Sequence, residues 1–175
     1  MLFKKTLLAS ALLALGGFAV SATGATSPAS ASFQIKLTIA KACSVTTSGP
    51  LDLGTVDSNQ STDATANASN ISVTCSKKLP YSVGLTPSSS STDGTGTMKG
   101  TIAGNTDTIA YALYQNAGNT TAWGNTASNS LTAANGLAAG TGSAQTYKVY
   151  GKVLSANLNV MPDSYSDSIA VNVTY

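Results

Sequence analysis

Apolar and polar residues alternate along several short stretches of the chain, at residues 33–39, 71–75, 81–85, 147–153 and 169–175. Each stretch places its apolar side chains on one face and its polar ones on the other, the period-two pattern of a half-buried strand. Between them lie segments crowded with Gly, Ser, Thr and Asn, at residues 88–100 and 117–142, which predict turns and long loops. The Ala-rich stretch 131–139 has the composition of a short helical turn, but Asn135-Gly136 and Gly140 argue for a loop there as well. Several short strands at this spacing predict a sandwich of two antiparallel sheets. No fixed-period repeat is visible, which argues against a solenoid.

The first residues follow a different pattern. Lys4 and Lys5 precede an apolar run over residues 6–20, and small residues follow it. That is the layout of a secretory signal peptide, expected over residues 1–25. Cleavage after Ala22 or Ala31 also fits the small residues, with Ala25 favoured; a buried N-terminal helix is the alternative. The apolar run is short for a bilayer span. Removing the signal peptide, with Lys4 and Lys5, leaves seven Lys against seven Asp, so the exported chain is formally neutral and no basic face for nucleic acid is expected. Residues 26–40 then read as an N-terminal extension and residues 41–175 as the domain.

Composition narrows the chemistry. The 175 residues carry every positive charge on Lys and every negative charge on Asp, with no Glu, Arg or His. General acid–base catalysis near neutral pH usually draws on His or a tuned Glu, and fork-like phosphate recognition on Arg. The chain therefore reads as non-enzymatic, with no catalytic, cofactor or metal site. Cys43 and Cys75, 32 residues apart in an exported chain, are expected to form a disulfide rather than a metal site. Asp163 and Asp167 flank Tyr165, but the spacing of a calcium loop is absent and solvated turn residues are expected. Trp123 is expected in a sandwich core rather than stacked on a sugar ring, and Lys77-Lys78 in a solvated turn. Sequons at Asn67 and Asn70 carry no weight in a chain so rich in Asn and Thr.

A set of short motifs in fixed order adds a family resemblance: Cys43-Ser44-Val45, Leu51-Asp52-Leu53-Gly54, Ile71-Ser72-Val73-Thr74-Cys75, Pro80-Tyr81-Ser82-Val83, Ile109-Ala110-Tyr111-Ala112-Leu113-Tyr114, Trp123-Gly124, Tyr150-Gly151 and Tyr165-Ser166-Asp167. Together they resemble the spore coat protein U domain family, and within it the pilin subunits of archaic chaperone-usher pili of Gram-negative bacteria. Asp163 departs from the family pattern, which tends to place Gly there. The resemblance implies an all-β fold: an incomplete immunoglobulin-like antiparallel β-sandwich whose missing strand is supplied by a chaperone or a neighbouring subunit. It implies a structural subunit of a surface pilus supporting adhesion and biofilm formation. The implied partners are a periplasmic chaperone, an outer-membrane usher and neighbouring pilin subunits, and the implied location is the periplasm and then the cell surface.

The residues fit such strand addition. Phe33, Ile35, Leu37 and Ile39 form an apolar row behind a flexible-looking stretch at residues 26–30, and are assigned as the donor strand. Burying them would contribute about 6 to 12 kcal/mol before ordering costs, at roughly 1.5 to 3 per side chain. The same row also reads as the first strand of the domain's own sheet. Ile169, Val171, Val173 and Tyr175 alternate to the last residue given and are assigned as the edge of the acceptor groove, where a chaperone would dock. A self-complete sandwich acting as a secreted adhesin or carbohydrate-binding module is the alternative function.

Overall fold

The computed structural model describes residues 29–133 and 137–175; the expected signal peptide, residues 1–25, and the Asn135-Gly136 turn lie outside them. The chain divides into two units, Met1–Thr38 and Ile39–Tyr175. In the first, residues 29–38 form no strand or helix and are exposed throughout. The reading of residues 33–39 as the first strand of the domain's own sheet is therefore corrected, since the first strand begins at Cys43.

Within the second unit, the described residues form strands β1 (Cys43–Thr47), β2 (Ala64–Cys75), β3 (Ser82–Pro87), β4 (Thr95–Gly100), β5 (Thr108–Tyr114), β6 (Ala144–Val153), β7 (Tyr165–Ser166) and β8 (Ile169–Thr174). All pairings are antiparallel. One sheet has the order β1-β2-β6-β5-β4-β7, and β3 and β8 make a second sheet of two strands. Their inward faces supply the core: Ile71 and Val73 from β2, Ile109 and Leu113 from β5, and Val83 and Leu85 from β3 are all buried. Strand β1 is pinned to β2 by the Cys43–Cys75 disulfide, which joins two residues that stand opposite each other in the register.

Strand β4 corrects the expectation of loop over residues 88–100. Its two glycines hide the alternation in the sequence. Gly96 is required because it lies opposite Tyr111 on β5, where a Cβ would stand 2.4 Å from the ring's Cζ. The tyrosine ring covers the backbone that a side chain would otherwise occupy. The stretch 117–142 holds no strand among the described residues, as expected, but Trp123 within it is 1% exposed and its indole N–H donates to the Val83 carbonyl at 2.9 Å. The core role expected of Trp123 is thus met.

Candidate functional site

The site is built on the two-stranded sheet, and it begins with what covers each of its edges. The outer edge of β3 is taken. Val83 N–H donates to the Leu131 carbonyl at 2.9 Å, Leu131 N–H returns to the Val83 carbonyl at 2.8 Å, and Leu85 N–H donates to the Gly124 carbonyl at 2.9 Å. The loop after β5 thus acts as a makeshift strand, a common way to protect a sheet edge.

Those bonds also fix which main-chain groups of β8 are engaged. Antiparallel partners alternate between pairs that exchange hydrogen bonds and pairs that point away from one another. Because Val83 and Leu85 direct their main-chain groups to the loop, their partners Val173 and Val171 direct theirs to the far side of β8. Ile169, opposite Pro87, follows the same alternation. Among the described residues no strand pairs with that side of β8. The three residues whose side chains turn inward therefore also offer their N–H and C=O groups along an open edge.

The side chains show the same vacancy. Val83 and Leu85 are 0% and 1% exposed, whereas Ile169, Val171 and Val173 are only half-buried and Tyr175 is 53% exposed. Beside them lies a groove of about 720 Å³, with Ile71, Leu85, Leu113 and Val149 in its floor and Ile169 and Val171 on one wall. Residues 49–56 line it too, held by the Ser69 hydroxyl, which donates to the Gly49 carbonyl at 3.0 Å just after a bulge in β2. Gly151 keeps the groove deep: Leu51 lies over it, its Cδ2 only 2.7 Å from where a Cβ would stand.

Two carboxylates brace this wall, and both correct the expectation of plain solvated turns. Asp163 accepts from the Thr101 hydroxyl at 2.8 Å, the Ile102 N–H at 2.9 Å, the Asn105 amide at 2.8 Å and the Ser164 N–H at 2.7 Å. Partial burial pushes its pKa up, but these bonds win and hold it at about 2. Asp167 accepts from the Tyr111 hydroxyl at 2.6 Å and the Ser168 N–H at 2.8 Å, tying β5 to the start of β8. Burial, and then the neighbouring Asp167, push the Tyr111 phenol well above its ordinary value. Among the described residues no group of three or more Cys or Asp is placed to hold a metal. Lys77 and Lys78 are exposed, with Lys78 at a φ of 64° in a turn.

The extension is the other candidate element. Phe33, Ile35, Leu37 and Ile39 are 84 to 87% exposed, an extreme for large apolar side chains. Of the residues singled out in the sequence, Cys43 and Cys75 form the expected disulfide, while Ile169, Val171 and Val173 lie on β8 and Tyr175 lies beyond its end. Sequence reasoning missed the loop residues Gly124 and Leu131 that close the β3 edge, because strand-like pairing by isolated residues leaves no periodicity. Leu51 and Gly151 sat within quoted motifs but were given no role.

The family model that matches this chain is the Spore Coat Protein U domain, over residues 29–172. The chain belongs to the spore coat protein U domain family. Among solved structures, this family member is similar to a chain of the chaperone–tip adhesion subunit pre-assembly complex from archaic chaperone-usher Csu pili of Acinetobacter baumannii. The TM-score is 0.51 at 19% identity, covering 79% of this chain and 40% of that one, so this chain spans less than half the length of its neighbour. That likeness shows the fold. A chain of a chaperone–tip adhesin complex of CFA/I fimbriae biogenesis is also similar, with a TM-score of 0.42 at 14% identity over 74% of this chain and 41% of that one. No curated protein matches the sequence.

Proposed function

We propose that this spore coat protein U domain protein is a structural subunit of a surface pilus, assembled by donor-strand exchange along a chaperone-usher pathway. The observation that carries the reading is the edge of β8, where Ile169, Val171 and Val173 offer half-buried side chains and main-chain groups that no strand among the described residues pairs with, Ile169 and Val171 lining the groove beside it. A strand laid there satisfies both at once, with backbone bonds for pairing and alternate side chains for pockets. Phe33, Ile35, Leu37 and Ile39 have the matching alternation and are left exposed among the described residues. In this reading a periplasmic chaperone covers the β8 edge first, an outer-membrane usher guides its replacement, and the extension of a neighbouring subunit fills it in the fibre at the cell surface. Adhesion and biofilm formation follow from the fibre.

The sugar-binding alternative rested on Trp123, which is buried against Val83 and has no face to offer a ring. The test is deletion of residues 26–40. Heat-stable ladders on a denaturing gel and filaments by electron microscopy are expected from the full chain and not from the truncated one, while a chaperone complex still forms. Normal ladders from the truncated protein would overturn the donor assignment.

A further inference from the structure

We infer that Tyr81 and Tyr147 form a site of oxidative modification, where a one-electron oxidant of the peroxidase and peroxide class joins the two rings into a dityrosine that ties one sheet to the other. Their hydroxyls lie 2.7 Å apart, and the Tyr81 hydroxyl also reaches the Gln145 side-chain oxygen at 3.1 Å. Gln145 and Tyr147 belong to β6 of the six-stranded sheet, whereas Tyr81 immediately precedes β3 of the two-stranded one. Tyr147 packs against the buried core, so the two phenols meet between the layers. The site does not depend on strand exchange.

The chain leaves such an oxidant few other targets. Both cysteines are in the disulfide, no His is present, and Trp123 is 1% exposed. Methionine yields instead to two-electron oxidation to the sulfoxide. Tyr147 is half-buried and open enough to meet the oxidant, while Tyr81 is 6% exposed and held against it. Tyr111 and Tyr165 are bonded to a carboxylate and a main-chain carbonyl, Asp167 and Met161, and have no phenol as partner in those bonds. Tyr114 and Tyr150, opposite each other on β5 and β6, are the competing pair.

The oxidant takes an electron from Tyr147, whose proton passes to water. Across the 2.7 Å contact Tyr81 gives a hydrogen atom to the Tyr147 radical, and a second oxidation removes another electron and proton from the restored Tyr147. The two radicals pair in a carbon–carbon bond between ring positions ortho to the oxygens. The hydrogen on each of those carbons moves to its own oxygen, restoring both phenols. In total the pair loses two electrons and two protons, and one hydrogen peroxide takes them up to become two waters. Holding the rings in contact favours this coupling over any that needs two molecules to collide.

The test treats the dilute mature full chain with a peroxidase and hydrogen peroxide, follows dityrosine fluorescence and maps the monomer band by tryptic mass spectrometry. Tyr81 and Tyr147 fall on separate peptides, residues 79–99 and 100–148. A Tyr81–Tyr147 link is expected, two hydrogens lighter than the two peptides together. Monomer fluorescence should fall about tenfold or more in Tyr147→Phe, and likewise in Tyr81→Phe, but not in Tyr150→Phe. The treated chain should also unfold at higher urea than Tyr147→Phe treated alike, because the link closes a loop between residues 66 apart. Tyr147→Phe, at a half-buried position, serves if Tyr81→Phe does not fold. Monomer fluorescence that survives Tyr147→Phe, a link confined to Tyr114 and Tyr150 or to Tyr175, or no dityrosine at all overturns the assignment and leaves strand exchange untouched.

Discussion

Leu85 and Val171 stand opposite each other in the β3–β8 pair, yet Leu85 is 1% exposed and Val171 is only half-buried. Cross-strand partners share a face and ordinarily share an environment. The difference lies in what adjoins them: Leu85 N–H donates to the Gly124 carbonyl of the loop on its outer side, and Val171 has no strand beside it on its far side among the described residues. The two positions should therefore respond differently to truncation. Leu85→Ala is expected to destabilise the isolated protein by about 2 to 5 kcal/mol in urea unfolding. Val171→Ala should cost about 1 kcal/mol or less there, yet weaken binding of a synthetic peptide spanning residues 30–41 by about tenfold, the equivalent of about 1.4 kcal/mol. Equal losses of stability at both positions would mean that the groove is already filled.

Gly124 holds the loop that protects β3, and it has no room for a side chain. A Cβ there would stand 2.2 Å from the Thr92 carbonyl oxygen and 2.7 Å from the Gly94 nitrogen, both backbone atoms that cannot swing aside. Gly124→Ala is expected to destabilise the fold by about 1 to 3 kcal/mol, as overpacking does. It should also loosen the Leu85–Gly124 bond and expose a second sheet edge, so aggregation on mild warming, followed by light scattering, should rise. Gly151→Ala is the control, because its close neighbour is the movable end of Leu51. Equal effects of the two substitutions would refute this account of the loop.

The contrast between these glycines explains how far the sequence could be read. Strands with β-branched or aromatic residues on one face, such as β2, β6 and β8, announce themselves through alternation. Strand β4 does not, because Gly96 gives its inward position to the Tyr111 ring and the pattern is completed by another strand's side chain. The edges were hidden for a related reason. Whether a strand's main-chain groups are engaged depends on partners distant in sequence, as with Leu131 and Val83, and no local pattern records that. Asp163 shows the same limit, since its acceptor role depends on a turn some 60 residues away.

The carboxylates give the fold a predictable response to acid. Asp93 is held at about 2 by the Ser91 and Thr95 hydroxyls, and Asp163 at about 2 by the bonds that outweigh its burial. A carboxylate with a depressed pKa stabilises the fold while ionised. Its contribution is fully present above the ordinary value of 3.8 and is lost as pH falls towards 2. With no His in the chain, the urea midpoint should stay flat from about pH 7 to about pH 5 and then fall between about pH 4 and pH 2. Asp163→Asn should make that fall shallower. At the other extreme, burial raises the Tyr81 and Tyr111 phenols above 10.0, so their contribution persists to about that pH and erodes above it. A midpoint already falling between pH 7 and pH 5 would contradict the assignment.

Among the described residues strand β1 pairs only with β2, and its residues after Cys43 are exposed, so little buried surface holds it in place. The Cys43–Cys75 bond should therefore matter both to the whole fold and to this strand in particular. Closing a loop of this length stabilises the fold by about 3 to 4 kcal/mol on the chain-entropy account. Reduction, or Cys43→Ser with Cys75→Ser, is expected to lower the free energy of unfolding in urea by about that much. Local opening should exceed the global effect. Amide exchange at β1 residues such as Thr46 should accelerate far more than at Leu113, whose strand sits at the centre of the sheet. Uniform acceleration across both strands would show that the disulfide acts only on the unfolded chain and does not hold β1 as an anchor.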